Sequence, residues 1–353
     1  MKCHSFVVRL SFALVLGIAT EIHASEPDER RAVRDVAEQA YLDGDFNSLE
    51  KQYQAYNDFL KQRTSSGAFK ATLFLDGIGQ AKREWGPQQF EEDIARTKRW
   101  VDAHKGSPLA YKLHADALYA YGGYFRGGGF VDSVPAPAWK IYEEAVRKSA
   151  AFLIESEPVA GKDTVWHASM LNEARLAGWS EQVARRLFEE GLKKDSRDYR
   201  LYKNMLEYLL PKWLGNTQAV DAFINYAVEA APPELGLELY ARLYSSAGES
   251  QYKRRLYSDS LVNWSKMKDG LALWNKRFPT SWNKNIQAYH ACIAGDKDLA
   301  KVLLDEINNQ PVWDIWEPSA RNTFDTCVRW ASDPTAEPTE PRGAPVGKTD
   351  SVT

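Results

Sequence analysis

The sequence predicts an all-α protein, an α-solenoid of stacked helical hairpins. Three observations predict it. Apolar residues recur at i, i+4, i+7 and i+8, the spacing of one helix face. Polar capping residues and glycines bracket these runs. The glycines near the turns, Gly44, Gly86, Gly129, Gly178, Gly215, Gly248 and Gly295, recur at about 42 residues, with gaps of roughly 33 to 49, the scale of a two-helix repeat. One hairpin cannot bury its apolar stripe alone, but a stack of them can. With 353 residues, 44% hydrophobic and 26% charged, the chain has a globular balance, which excludes wholesale disorder. A formal charge of −3 argues against a dedicated nucleic-acid binder, which needs a basic footprint.

Residues 1–24 read as a secretory signal peptide. Lys2 and Arg9 supply positive charge, an apolar run follows from Leu10 to Ala19, and Ala24 is a small residue suited to cleavage. The run is far short of the roughly 20 apolar residues that span a bilayer, and no later segment is apolar enough to do so. Cys3 precedes the run and is misplaced for a lipid anchor. The expected location is therefore periplasmic or secreted, with residues 25–332 forming the repeat domain. An oxidising compartment permits a disulfide between the two remaining cysteines, Cys292 and Cys327; the alternative is a pair of buried thiols.

Along the domain, Ala138, Tyr142, Ala145, Val146, Ser149, Phe152 and Leu153 mark one amphipathic face. Val183, Leu187 and Phe188 mark a second, Val220, Phe223, Ile224 and Ala227 a third, and Leu299, Val302, Leu303 and Ile307 a fourth. Asp45, Ser107, Asp163, Ser196, Thr217, Thr280 and Asp296 stand where N-caps belong, and Pro87, Pro108, Pro137 and Pro318 suit first turns. Between Tyr121 and Gly129, five glycines predict a loop inserted between repeats. Pro211 should end a helix near Leu210, with Trp213 tucked into the next repeat. Gly248 should mark a turn. Residues 333–353, rich in Pro, Thr and Gly, read as a disordered tail.

Four stretches carry a family resemblance: Phe125–Phe130 (Phe-Arg-Gly-Gly-Gly-Phe), Tyr208–Gly215 with its Leu-Pro-Lys-Trp core, Gly236–Tyr244, and Trp264–Ile307. On these the chain resembles an uncharacterised bacterial family, a domain of unknown function related to tetratricopeptide-like helical repeats, over most of residues 85–310. Members usually carry Gly-Gly after the tryptophan of the Leu-Pro-Lys-Trp motif, whereas Leu214 follows Trp213 here. The resemblance implies an all-helical repeat fold and brings no catalytic residues.

The chemistry-bearing motifs are sparse. The loop at Arg126 offers backbone N–H groups to an anion, but it lacks the preceding strand and the following Gly-Lys-Ser/Thr of a phosphate loop. Trp139, Trp166, Trp179, Trp264, Trp274, Trp282, Trp313 and Trp316 would suit a sugar-stacking surface, although tryptophan at helical spacing is usually core. Glu249–Tyr252 resembles the Glu-Ser step of lytic transglycosylases, without the downstream segments those enzymes carry. His104, His114, His167 and His290 lack metal-ligand spacing, so neither a metal nor a cofactor is expected. The function expected is a non-catalytic scaffold binding a protein or peptide partner in the cell envelope. Arg126, Trp139, Tyr202, Lys212 and Trp282 are the binding candidates. The alternative is a helical protein that binds or cleaves cell-wall glycan.

Overall fold

The computed structural model describes residues 25–336, apart from 130, 309 and 317–319. The expected signal at 1–24 and the tail from 337 onward lie outside the described residues. The described chain is all-α: α1 (Glu26–Asp43), α2 (Phe46–Tyr56), α3 (Lys70–Gln80), α4 (Pro87–Ala103), α5 (Pro108–Arg126), α6 (Ala136–Ala160), α7 (Thr164–Leu176), α8 (Glu181–Lys194), α9 (Tyr199–Leu209), α10 (Thr217–Ala230), α11 (Gly236–Ala247), α12 (Leu256–Asp259), α13 (Trp264–Arg277), α14 (Ser281–Ala294), α15 (Lys297–Glu306), α16 (Trp313–Trp316) and α17 (Ala320–Ser332). Among the described residues the only β pairing is an isolated bridge between Arg63 and Phe69.

Local chemistry fixes many of the boundaries. The side chains of Asp45, Ser107, Asp163, Thr280 and Asp296 each accept an N–H of the first turn that follows. Ser196 and Thr217 do not; Asp198 and Asn216 cap α9 and α10 instead. Gly44 and Gly295 close α1 and α14 in the left-handed conformation, at φ 69° and 82°.

The hairpins stack in chain order. Helix α1 packs on α3, α5 on α7, α7 on α9, α9 on α11 and α11 on α13, and each helix also meets its hairpin partner. The stack has an inner and an outer row. Inner helix α9 buries Tyr199, Leu201, Tyr202, Met205, Leu206, Tyr208 and Leu209, whereas outer helix α8 buries only Ala184, Leu187, Phe188 and Gly191. A single stripe suffices for a helix covered on one side; the inner row is covered on nearly all sides.

Part of that cover is the chain's own connection between α2 and α3. Residues 57–69 cross the inner row as a strap. Phe59, Arg63, Thr64, Ser66, Ala68 and Phe69 are buried in it. Phe69 stacks on Tyr199 of α9, with ring centroids 4.9 Å apart. Arg63 Nη1 reaches Glu238 of α11 at 3.2 Å, and Arg242 Nη2 donates to the Gly67 carbonyl at 2.9 Å. Trp274 Nε1 and Asn283 Nδ2 both donate to the Ser66 carbonyl, at 2.8 and 2.9 Å. Gly67 is required here: its φ is +81°, and a Cβ would lie 2.6 Å from the Phe278 ring. The Arg30 guanidinium also sits 4.3 Å from the Trp282 ring centroid, so α1 meets α14 across the stack.

Several expectations are corrected. Tyr202 is no surface contact residue: it falls on the buried stripe of α9, is fully buried, and donates its hydroxyl to the Ser196 carbonyl. Gly122 and Gly123 stay inside α5. Helix α6 crosses so closely at Gly122 that a Cβ would come within 2.4 Å of the Ala145 Cβ. Trp213 is 37% exposed rather than tucked away, with the Arg175 guanidinium 4.2 Å above its ring. Gly248 does not make a turn; the backbone continues from α11 into a π-helical turn, Gly248–Tyr252. The tryptophans form no common surface, since Trp166, Trp264, Trp274, Trp282 and Trp316 are buried. Just past the end of α17, Lys297 Nζ binds the carbonyls of Asp333 and Ala336. Of the two alternatives for Cys292 and Cys327, the structure has the disulfide, Cα–Cα 5.9 Å, tying α14 to α17.

Candidate functional site

Where the strap ends, the inner row opens into a groove. Three adjoining cavities of about 430, 350 and 260 Å³ share Leu75 of α3, and their walls come from α1, α3, α5, α7 and α9. Ala168 and Ser169 of α7 put small side chains on the floor, which keeps the groove open. Its polar groups are poorly matched within the chain. Asp76, Arg83 and Lys203 line it without a side-chain hydrogen bond or ion pair among the described residues. Arg34 Nε and Thr72 Oγ1 are buried there without a hydrogen-bond partner. By contrast, Lys112 and Asp116 pair with each other at 2.5 Å, and Arg200 is held by Asp198 at 2.7 Å. Just behind the groove, burial pushes the Glu173 carboxyl up to about 7; Ser149 donates to its Oε1 at 2.8 Å, while Oε2 has no partner.

A fourth cavity, about 300 Å³, lies at the end of α11. Its walls are largely apolar: Trp274, Trp282, Ile286, Tyr289, Ile293 and Ile315. Glu249 reaches it because the π-helical turn continues α11 past Gly248, and such turns frequently occur at functional sites. Glu249 is a solvent-exposed residue whose carboxyl is partly desolvated by the cavity wall. That desolvation raises its pKa against the pull of Lys203, Arg30 and Lys253. No side-chain hydrogen bond or ion pair reaches Glu249 from any described residue, and Asp314 on the same wall also lacks one. Ser245 and Tyr257 bond the two ring nitrogens of His290, at 3.0 and 3.1 Å. Burial drives His290 down to about 3, so it is neutral and a poor base for the neighbouring serine.

The five binding candidates are not brought to one place. Arg126 and Trp139 do meet, at 5.9 Å from guanidinium carbon to ring centroid, but Arg126 Nη1 is bound to the carbonyls of Gly127 and Gly129. This pair caps the loop after α5, away from the groove. Lys212 Nζ binds the Ser250 carbonyl and hydroxyl, at 3.0 and 2.7 Å, and so braces the turn that carries Glu249. Trp282 lines the cavity at the end of α11, and Trp139 lines a separate cavity of about 610 Å³ between α6 and the end of α7. The groove residues Asp76, Arg83 and Lys203 have no sequence signal, since an unpaired charge on an amphipathic helix reads like any solvated one.

Among the described residues, no three histidine, cysteine or acidic side chains gather as metal ligands, and no helix is long and apolar enough to cross a membrane. Comparison with protein-family models and with curated proteins finds no match for the chain.

Proposed function

We propose that the chain is a non-catalytic scaffold, exported to the cell envelope, that holds an extended peptide segment of a protein partner in the groove between α1, α3, α5, α7 and α9. On this reading it is a tetratricopeptide-like repeat protein of the family its motifs resemble, and residues 1–24 direct its export. One observation carries the proposal: groove-lining charges of both signs, Asp76, Arg83 and Lys203, stand without partners inside a fold that pairs its other inner-row charges closely. A peptide backbone and its side chains supply the missing donors and acceptors. The protein should enrich binding peptides from a random display library. Asp76→Lys combined with Arg83→Glu should weaken them at least tenfold, and Trp139→Ala should leave them unchanged. A library that yields no binders, or binders indifferent to the groove reversal, overturns it.

A glycan ligand is the second reading, favoured by the single desolvated carboxylate of Glu249 in a cavity with indole walls. Release of soluble fragments from purified peptidoglycan, lost in Glu249→Gln, would replace the scaffold reading by this one.

A further inference from the structure

The cavity at the end of α11 is chemically unlike the groove beside it. Its walls are apolar, and its two carboxylates, Glu249 and Asp314, lack partners among the described residues. Of the cations around it, Lys253 lines the cavity, and the others are committed elsewhere or lie outside it. Lys253 Nζ is bound to the Glu249 main-chain carbonyl. Arg30 pairs with Glu26 at 2.7 Å and rests on the Trp282 ring. Lys203 belongs to the groove wall. His290 is neutral, with both nitrogens engaged.

We propose that this cavity binds a primary ammonium carried on a short apolar stem, the chemistry of a lysine side chain, with the stem against Ile286, Tyr289 and Ile293 and the ammonium at Glu249 and Asp314. A volume of about 300 Å³ accommodates such a stem with room for water. Charge complementarity selects the occupant. An anion would face two carboxylates against the one lining ammonium of Lys253, and a neutral stem would leave Glu249 unpaired where its carboxyl is partly desolvated. Glu249 makes no side-chain hydrogen bond or ion pair with a described residue, so no specific partner within the chain accounts for its place on the cavity wall. Only the statement that the lysine belongs to a peptide lying in the groove rests on the function proposed above.

The test therefore uses a probe that needs no peptide. The full chain is titrated with n-pentylammonium, with n-pentanol and pentanoate as neutral and anionic controls, following the indole N–H resonances of Trp274 and Trp282. The ammonium should bind saturably and at least tenfold more tightly than the alcohol, and pentanoate should not bind. Glu249→Gln, which removes charge but no internal contact, should cost the ammonium at least tenfold and leave the alcohol within twofold; Glu249→Asp should retain the preference. Because burial raises the Glu249 carboxyl, ammonium affinity should climb as pH rises through the acid range. Equal binding of alcohol and ammonium, binding of pentanoate, no saturable binding, or indifference to Glu249→Gln each overturns the proposal. Ammonium binding by a protein that enriches no peptides would remove the groove reading and leave this site standing.

Discussion

The two halves of the inner face treat charge in opposite ways. Beneath the strap, Glu238 takes contacts from Arg63, Arg242 and Arg277 at 3.2, 2.7 and 3.4 Å. Burial works against the charge on Glu26, but hydrogen bonds from Ser66 and Thr64, with Arg30 alongside, outweigh it and hold its pKa below the ordinary value. In the groove, Asp76, Arg83 and Lys203 have no such partners. A desolvated charge is tolerable only when paired, whereas an unpaired one must keep access to water or to a ligand. The difference separates the part of the inner face that is architecture from the part left for binding.

The largest effect should come from breaking the architecture. Glu238→Ala leaves Arg63 and Arg242 facing each other with no carboxylate, although burial already pulls Arg63 down to about 10. Removing one partner of a buried ion pair costs about 3–5 kcal/mol. Denaturant titration should show that loss, and a change under about 1 kcal/mol would mean that the strap is not a stabilising element. Next in size is the Cys292–Cys327 bond, which closes a loop of sequence separation 35 between α14 and α17. Chain entropy puts its contribution at about 3–4 kcal/mol. Cys327→Ser should lower stability by that order without touching the groove, and thiol labelling of the unfolded native protein before and after reduction checks that the bond is present.

How much of this is legible in the sequence depends on the distance over which each feature is built. Caps such as Asp45, Asp163 and Thr280 act within three residues and are readable. Ser196 and Thr217 mislead only because Asp198 and Asn216 sit close by and compete for the same role. The strap is invisible, because Gly67 and Ser66 find their partners 175 to 217 residues away. Tyr202 looks like a contact residue until the stripe of α9 is closed on both sides. Glu249 draws notice in sequence for its neighbours, but its cavity is walled by α13, α14 and Ile315, which no local pattern joins.

A smaller effect tests the buried titratable groups on either side of the divide. Burial holds His290 at about 3 and His114 at about 4, below their ordinary 6.5, so between those limits the unfolded chain binds more protons and stability falls as pH falls. Glu173, raised to about 7, works the other way: the folded chain binds more protons above pH 4.5, so its contribution declines as pH rises to 7. His167 is lowered by burial too and the Glu249 carboxyl is raised, one on each side of the balance, so the histidines together should give a net loss on acidification from about pH 6.5 to 4, roughly 2–4 kcal/mol. Thermal melting across that range checks it. Glu173→Gln should raise stability above pH 7 by about 1–3 kcal/mol while leaving the acid limb in place.

The smallest effect sharpens the comparison most. Asp76→Lys and Arg83→Glu reverse charges of the same kinds found beneath the strap, yet they remove no ion pair and bury nothing new. Each should shift stability by less than about 0.5 kcal/mol, the usual size for an exposed site. A shift of 2 kcal/mol or more in either would mean that these side chains hold the α1–α3 packing together, and the groove would then belong to the architecture. Side by side, the near-silent Arg83→Glu and the disruptive Glu238→Ala distinguish charges whose partner lies in this chain from charges whose partner must come from outside it.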